Sequence, residues 1–235
     1  MPLATVTLLS MLSGAPALPA RYLALGDSYT IGESVAAAER WPNQLVAMLR
    51  EQGANLARPE IVARTGWTTG ELAAALDAVE RGEMVEMAVD EHAPRPAPPY
   101  QLVTLLIGVN NQYRGRPVEE YRAQLQALVA RAVAYVGGEP RRVVMLSIPD
   151  WGVTPFAAGM GRDAANVARE IDAYNAAART LCAEAGVAFI DITPLTREAA
   201  TRPELLAGDG LHPSGVDYRR WAEAALPAAR AALGD

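Results

Sequence analysis

Three polar residues near opposite ends of the chain are of the types that carry out acyl transfer. Ser28 follows Gly26 and Asp27 at the end of a short apolar run, and Asp209 and His212 lie near the carboxyl terminus. A serine hydroxyl becomes an effective nucleophile when a histidine accepts its proton and a carboxylate orients that histidine. The order Ser, Asp, His therefore indicates a candidate triad, although Gly-Asp-Ser alone is more often an ordinary turn or helix cap.

His212 is the better of the two histidines as a candidate base. It stands beside Pro213 and before a predicted helix, and Asp209, three residues earlier, can accept from its second ring nitrogen. The alternatives are a solvent-exposed loop histidine and a turn aspartate. His92 lies between an acidic stretch and a proline run with no partner suggested, so we expect it at the surface.

Hydrolysis of an acyl group also requires donors for the oxyanion of the tetrahedral intermediate. The backbone N–H of Ser28, the backbone N–H of Gly66 and the side-chain amide of Asn110 are the candidates. A glycine at position 66 lets a substrate approach the backbone closely. Gly108 lies in the turn just before Asn110. The alternative for Gly66 and Gly108 is that each glycine only ends a strand and has no role in binding.

Apolar strands alternate with helical patterns, which predicts a doubly wound α/β fold with a five-stranded parallel sheet. The segment 82–99 is ambiguous, because a helix could continue through Val89 before four prolines force an extended chain. We predict strands at 22–25, 60–63, 100–107, 142–148 and 187–192, and helices at 39–53, 71–81, 118–136, 163–186 and 214–233.

This topology would bring the candidate residues together. Ser28, Gly66 and Asn110 follow the first, second and third predicted strands, and Asp209 and His212 follow the fifth. The carboxyl ends of parallel strands share one edge, and ligands of open α/β sheets bind in the crevice there. The sequence therefore predicts that these residues converge at this edge.

Composition excludes several other kinds of chemistry. The chain has 235 residues, a net charge of −6 and no block of like charges, so nothing indicates a nucleic-acid partner. It contains no lysine, which excludes a Schiff-base or P-loop lysine. Its single cysteine, Cys182, excludes an intrachain disulfide and a cysteine-based zinc site. The triad chemistry described above uses no metal and no cofactor, and we expect neither.

Residues 1–20 differ from the rest of the sequence. A short apolar core precedes a stretch rich in Ala and Pro, which resembles a secretory signal, yet no basic residue precedes the core. The segment is either a signal peptide, with a periplasmic or secreted protein, or an amino-terminal extension of a cytoplasmic one. It is too short to span a membrane, and no other segment is a transmembrane candidate. We expect 21–235 to form a single domain.

The residues described above resemble those of the SGNH hydrolases, also called the GDSL lipase/esterase family. Gly26-Asp27-Ser28 is similar to its first block, Gly66 to its second, Gly108-Val109-Asn110 to its third and Asp209 to Pro213 to its last. The likeness runs from Tyr22 to the carboxyl-terminal helix. It implies a three-layer α/β/α, flavodoxin-like domain, with Ser28 as nucleophile, His212 as base, Asp209 as the orienting acid, and Ser28, Gly66 and Asn110 as the oxyanion hole.

Two positions depart from the family pattern. Tyr29 replaces the leucine of GDSL, and Asn111 stands where the third block usually has an aspartate. The oxyanion role belongs to Asn110, so we expect the chemistry to survive, with a changed charge in the neighbouring pocket.

The expected activity is hydrolysis of carboxylic esters or thioesters through an acyl-enzyme. Trp67, Tyr113, Trp151 and Phe156 follow strand ends and are candidates for an acyl or aryl pocket. Core packing is the favoured alternative for Phe156, and for Trp67 the pocket and the core are both open. A lysophospholipid or another lipid-like ester, or a short aliphatic or aryl ester, is the first expectation for the substrate. A carbohydrate O-acetyl ester is the alternative, and a non-catalytic ligand-binding protein on the same scaffold is the alternative of another class. Oligomeric state cannot be inferred.

Overall fold

The computed structural model describes residues 18–88 and 91–234, and its centre is a parallel sheet. The seven described strands are β1 (Tyr22–Asp27), β2 (Glu60–Arg64), β3 (Glu86–Ala88), β4 (Glu91–His92), β5 (Leu102–Leu106), β6 (Val143–Leu146) and β7 (Ala188–Ile190). Five of them form the sheet in the order β2-β1-β5-β6-β7, and every pairing in it is parallel. The prediction of a five-stranded, doubly wound sheet is confirmed.

Helices cover the sheet. Those in the described residues are α1 (Ser28–Ile31), α2 (Trp41–Glu51), α3 (Thr69–Glu80), α4 (Val109–Tyr113), α5 (Val118–Tyr135), α6 (Pro155–Gly159), α7 (Ala164–Ala185), α8 (Thr193–Arg197) and α9 (Gly215–Leu233). Helix α2 packs against α9, and α5 packs against both α3 and α7. Together with the sheet, these helices make the three-layer α/β/α arrangement.

Strand β1 is an interior strand of the sheet, between β2 and β5. All six of its residues are buried, as expected for a parallel strand that is covered on both faces. Gly26 is a place where a larger residue has no room, since a Cβ there would overlap the hydroxyl of Thr30 and the carbonyl oxygen of Leu106. The absent side chain lets α1 turn directly off the end of β1.

The segment after α3 differs from the helical alternative considered for 82–99. Helix α3 ends at Glu80, and Gly82 follows with a φ of +86°. Strands β3 and β4 then pair in antiparallel fashion. Met87 is buried against Ile31 and Ala63, so tertiary contacts favour the strand over a longer helix. His92 is exposed on β4, in agreement with its predicted surface position.

Residues 1–17 lie outside the described residues. The signal or extension predicted for 1–20 therefore stays a prediction, as does the single domain predicted for 21–235. Among the helices that the structure does describe, none has the length and apolar character needed to cross a membrane.

Candidate active site

Ser28 lies at the junction between strand β1 and the first helix, α1. Strand β1 ends at Asp27, and Ser28 is the first residue of α1, where the backbone N–H has no partner within the helix. The Asp27 carboxylate oxygen Oδ1 accepts from the Tyr29 N–H at 3.0 Å and caps the helix. This fixes the direction in which the Ser28 side chain leaves the backbone.

Asp27 is fully buried next to the candidate nucleophile. Its second oxygen, Oδ2, has no hydrogen-bond partner among the described residues. Burial raises the pKa of Asp27 to about 8, although the Tyr29 N–H partly opposes this. Asp27 therefore supports the turn, and a different carboxylate meets the histidine.

Asp209 and His212 contact each other directly. The Nδ1 atom of His212 lies 2.6 Å from Oδ2 of Asp209. The other carboxylate oxygen, Oδ1, accepts from the backbone N–H groups of Leu211 and His212, both at 2.9 Å. A residue three positions before the histidine can thus cap the turn and hold the imidazole ring at once.

A further residue, Ser34, donates its hydroxyl to Asp209 Oδ2 at 2.6 Å. Partial burial by itself would raise the pKa of Asp209. The hydrogen bonds from Ser34, from the ring and N–H of His212 and from the Leu211 N–H outweigh it and hold that pKa well below its usual range. The carboxylate is therefore ionised wherever the protein is folded at neutral pH.

The His212 ring is buried against an aromatic neighbour. The centroids of His212 and Tyr29 are 5.1 Å apart, with the ring planes tilted by 54°. The backbone around the histidine is fixed as well, since the Ala207 N–H donates to the His212 carbonyl at 2.7 Å and the Ser214 N–H to the Leu205 carbonyl at 2.8 Å. The ring is consequently held in one place.

The turn after β2 carries Gly66 in a conformation suited to glycine. Its φ is +87°, which L side chains rarely adopt. Arg114 donates through Nη2 to the Gly66 carbonyl at 2.6 Å and through Nη1 to the Glu71 carboxylate at 3.1 Å. The side-chain amide of Asn110 donates to the Trp67 carbonyl at 3.0 Å. An amide nitrogen has two hydrogens, so one of them remains for a ligand.

These groups surround one cavity of about 190 Å³. Its lining residues are Ser28, Tyr29, Thr65, Gly66, Val109, Asn110, Tyr113, Trp151, Phe156, Leu211 and His212. The structure thus brings Ser28, Gly66, Asn110 and His212 together, with Asp209 behind the histidine. Most of the other side chains that line the cavity are aromatic or aliphatic.

The candidate pocket residues separate into two groups. Tyr113 and Trp151 line the cavity and contact each other edge to face, with ring centroids 5.3 Å apart. Trp67 does not line the cavity, because its side chain packs in the hydrophobic core, which is the second of its two alternatives. Its carbonyl accepts from the Asn110 amide, which does line the cavity. Phe156 differs from its favoured alternative, since it lines the cavity and is 37% exposed instead of packing in the core. The short helix α6 holds it at the rim.

The Trp151 ring is anchored from behind. Its Nε1 donates to Gln112 Oε1 at 2.7 Å, and Gln112 Nε2 donates to Glu170 Oε2 at 2.5 Å. The preceding residue, Asp150, is buried and accepts from the Gly152 N–H at 2.9 Å and from Arg197 Nε at 2.8 Å. The aromatic wall is therefore held by a polar network that the cavity does not expose.

Asn111, which stands where the family usually has an acid, does not line the cavity. It is buried, accepts from the Thr69 N–H at 3.0 Å and donates to the Thr69 hydroxyl at 2.8 Å. The expectation of a changed charge in the pocket is therefore wrong, because this side chain points away from the pocket and ties α4 to the start of α3.

Ser34 is the residue that sequence reasoning missed. It lies 175 positions before Asp209 in a short polar loop. A serine in such a loop gives no signal in the sequence, since serine is common in loops. In the structure, Ser34 is notable for its hydrogen bond to Asp209 and for a φ of +66°, which is unusual for a residue with a side chain.

Within 18–88 and 91–234, no cluster of three or more His, Cys, Asp or Glu side chains is arranged to hold a metal ion. The polar side chains that line the cavity carry hydroxyl, imidazole and amide groups.

Comparison with known proteins agrees with this architecture. The family described as GDSL-like lipase/acylhydrolase matches residues 24–220. The fold is similar to that of TesA, with 21% identity, a TM-score of 0.66, and 91% of this chain and 99% of that chain covered. It is also similar to the esterase EstA from Pseudoalteromonas sp., with 16% identity, a TM-score of 0.64 and coverages of 92% and 99%.

An acetylxylan esterase from Geobacillus stearothermophilus, Axe2, is 20% identical with a TM-score of 0.61, and 90% of this chain and 94% of that chain are covered. No curated protein matches this chain in sequence. The chain belongs to the GDSL-like lipase/acylhydrolase family, and it is an ester hydrolase of that type. The resemblance drawn from the four sequence blocks is confirmed.

Proposed function

We propose that this protein hydrolyses short-chain aliphatic or aryl carboxylic esters through an acyl-enzyme on Ser28. The observation that carries the proposal is the 2.6 Å contact between His212 Nδ1 and Asp209 Oδ2, with His212 and Ser28 on the same cavity. The contact from Asp209 leaves the other ring nitrogen, Nε2, as the acceptor for a serine proton.

In this mechanism, Ser28 Oγ attacks the carbonyl carbon of the ester while its proton moves to His212 Nε2. The imidazolium that forms is stabilised by Asp209. The tetrahedral intermediate collapses, the C–O bond to the alcohol breaks, and the alcohol leaves with the proton from Nε2. A water molecule then gives a proton to Nε2 and attacks the acyl carbon. The bond from that carbon to Ser28 Oγ breaks, Oγ takes the proton back from Nε2, and the carboxylic acid leaves.

The oxyanion of both intermediates is stabilised by three donors. These are the N–H of Ser28 at the start of α1, the N–H of Gly66, and the Asn110 amide hydrogen that does not bond Trp67. Donors that are fixed before the reaction need no reorganisation as the charge develops. The Arg114 contact to the Gly66 carbonyl supports this, because it restrains the turn that carries one of the donors.

Cavity size supports a short acyl or aryl group. The volume of about 190 Å³ is below the roughly 300–1,000 Å³ of pockets that enclose drug-sized ligands. Aromatic walls from Tyr113, Trp151 and Phe156 favour an apolar group.

The test uses p-nitrophenyl esters from acetate to decanoate. The wild-type protein should hydrolyse them with the highest kcat/KM at short chains, and Ser28→Ala should abolish turnover while its thermal unfolding stays close to wild type. A fluorophosphonate probe should label the wild type at Ser28 and leave the variant unlabelled. Undiminished turnover by a folded Ser28→Ala protein would contradict the proposal, and a preference for long chains would contradict its substrate class.

A further inference from the structure

Beside the catalytic cavity lies a second and larger depression, which we call the arginine groove. It has a volume of about 700 Å³ and is lined by four arginines, Arg114, Arg116, Arg162 and Arg169. Tyr113 lines both the arginine groove and the catalytic cavity. A molecule with its ester at Ser28 can therefore extend past Tyr113 into the groove.

The groove collects more guanidinium groups than the carboxylates of its own lining can pair. The whole chain carries a net charge of −6, whereas the groove lining has four arginines and one carboxylate, Glu170, which pairs with Arg162. Glu71 and Glu120, which do not line the groove, pair with Arg114 and Arg116. The groove therefore presents four guanidinium groups, and Arg169 is the one with no carboxylate partner among the described residues.

Three of the four arginines keep donors free for a ligand. Arg116 has its nearest carboxylate oxygen, from Glu120, at 4.0 Å, and Arg162 has Glu170 at 3.6 Å. Arg169 bonds the Asn166 side-chain oxygen, and no carboxylate of the described residues lies within 4.0 Å of it. A guanidinium carries five N–H donors in a planar fork that matches carboxylates and phosphates. Arg114 is occupied by Gly66 and Glu71.

The groove is one aromatic ring away from the catalytic cavity. The Cζ atom of Arg162 lies 5.4 Å from the centroid of the Trp151 ring, and that ring is a wall of the cavity. Resting on the proposed esterase function, we propose that the arginine groove binds an anionic group, a phosphate or a carboxylate, on the part of the substrate that stays outside the cavity. Esters with such a group are then the preferred substrate class.

The first experiment compares two butyrate esters that differ in charge, glycerol 1-butyrate and its 3-phosphate. The wild type should have the higher kcat/KM for the phosphate ester. In the double variant Arg116→Gln, Arg169→Gln, the ratio of the two kcat/KM values should fall by about tenfold or more, because charge-assisted hydrogen bonds to the phosphate are lost.

The matched control removes two exposed arginines elsewhere, Arg81→Gln and Arg219→Gln, each of which pairs with a neighbouring glutamate. Its ratio should stay within about twofold of wild type, since exposed charges far from the ligand are largely screened. An unchanged ratio in the groove variant, or an equal fall in both double variants, overturns the inference.

The second experiment measures binding to Ser28→Ala by calorimetry, with the phosphate ester, the neutral ester and inorganic phosphate as probes. The phosphate ester should bind more tightly than either of the others. If inorganic phosphate binds as tightly as the phosphate ester, the groove holds a free anion and the inference is overturned. If the wild type fails to hydrolyse the neutral ester, the proposed function fails, while this binding comparison still reports on the groove.

Discussion

At the residue scale, the acid of the candidate triad is held from two distant parts of the chain. Oxygen Oδ2 of Asp209 accepts both from the His212 ring and from the Ser34 hydroxyl, each at 2.6 Å. Ser34 reaches this position with a φ of +66°, a conformation that costs free energy for a residue with a side chain. Strain kept beside a functional group favours a positioning role for Ser34.

Ser34→Gly and Ser34→Ala test that role. Both remove the hydroxyl, and both should lower kcat by about 5- to 30-fold, equivalent to about 1–2 kcal/mol, with KM little changed. Glycine adopts positive φ without strain, so Ser34→Gly should be at least as stable as wild type in urea unfolding. Steady-state kinetics and unfolding curves of the two variants are the measurements.

A purely structural role would give a different pattern. In that case kcat would follow stability, and the glycine variant would be as active as the wild type. A slow but stable Ser34→Gly protein is the result that separates positioning of Asp209 from support of the loop.

At the scale of elements, the turn after β2 and the short helix α4 act together. Asn110 of α4 donates to the Trp67 carbonyl, and Arg114, just after α4, donates to the Gly66 carbonyl. Asn111 of the same helix bonds Thr69 at the start of α3. Two candidate oxyanion donors from different strand ends are therefore kept in fixed relation.

Gly66→Ala should displace its N–H donor as the backbone relaxes from a φ of +87°. A matched control exists at Gly82, in the turn after α3, which has a φ of +86° and open space where a Cβ would lie. Both alanine variants should lose about 1–2 kcal/mol of stability. Only Gly66→Ala should lower kcat, by at least about tenfold.

Steady-state kinetics with a short p-nitrophenyl ester, alongside thermal unfolding, separates these effects. Equal kinetic losses in the two variants would mean that strain alone slows the enzyme, and the donor role of Gly66 would be rejected.

At the scale of the whole molecule, the centre of the fold buries a carboxyl group. Asp27 ends the interior strand β1, is fully buried, and has a pKa raised to about 8 by that burial. In the unfolded chain an aspartate titrates near pH 3.9. The folded state therefore binds more protons than the unfolded state between these values, and stability must fall as the pH rises through that window.

Burial is also the main reason why the pKa of Asp217 is raised, to about 6. Asp217 therefore also lowers stability as the pH rises, but only up to about pH 6. The contribution of Asp27 therefore continues from pH 6 to 8, after that of Asp217 has ended. Wild-type stability should fall there with a slope of at most about 1.4 kcal/mol per pH unit, and Asp27→Asn should flatten this slope. Urea unfolding at pH 6, 7 and 8 measures it. An equally steep slope in the variant would assign the effect to other groups.

Much of this protein could be predicted from its sequence. Continuous apolar runs such as 102–106 are typical of parallel strands covered on both faces, so the five strands and their parallel sheet could be predicted. Ser28, Gly66 and Asn110 are candidates because they follow predicted strands, and Asp209 and His212 because they complete the order Ser, Asp, His. The carboxyl edge of a parallel sheet then brings them together by construction.

Only the tertiary structure decided the contacts between segments far apart in the chain. The Ser34 hydroxyl meets Asp209 across 175 positions, Asn111 turns away from the cavity toward Thr69, and Trp67 is drawn into the core. Local sequence determines where a strand ends and which residue follows it. The direction of each side chain beyond that point depends on the packing of elements whose contacts no local pattern encodes.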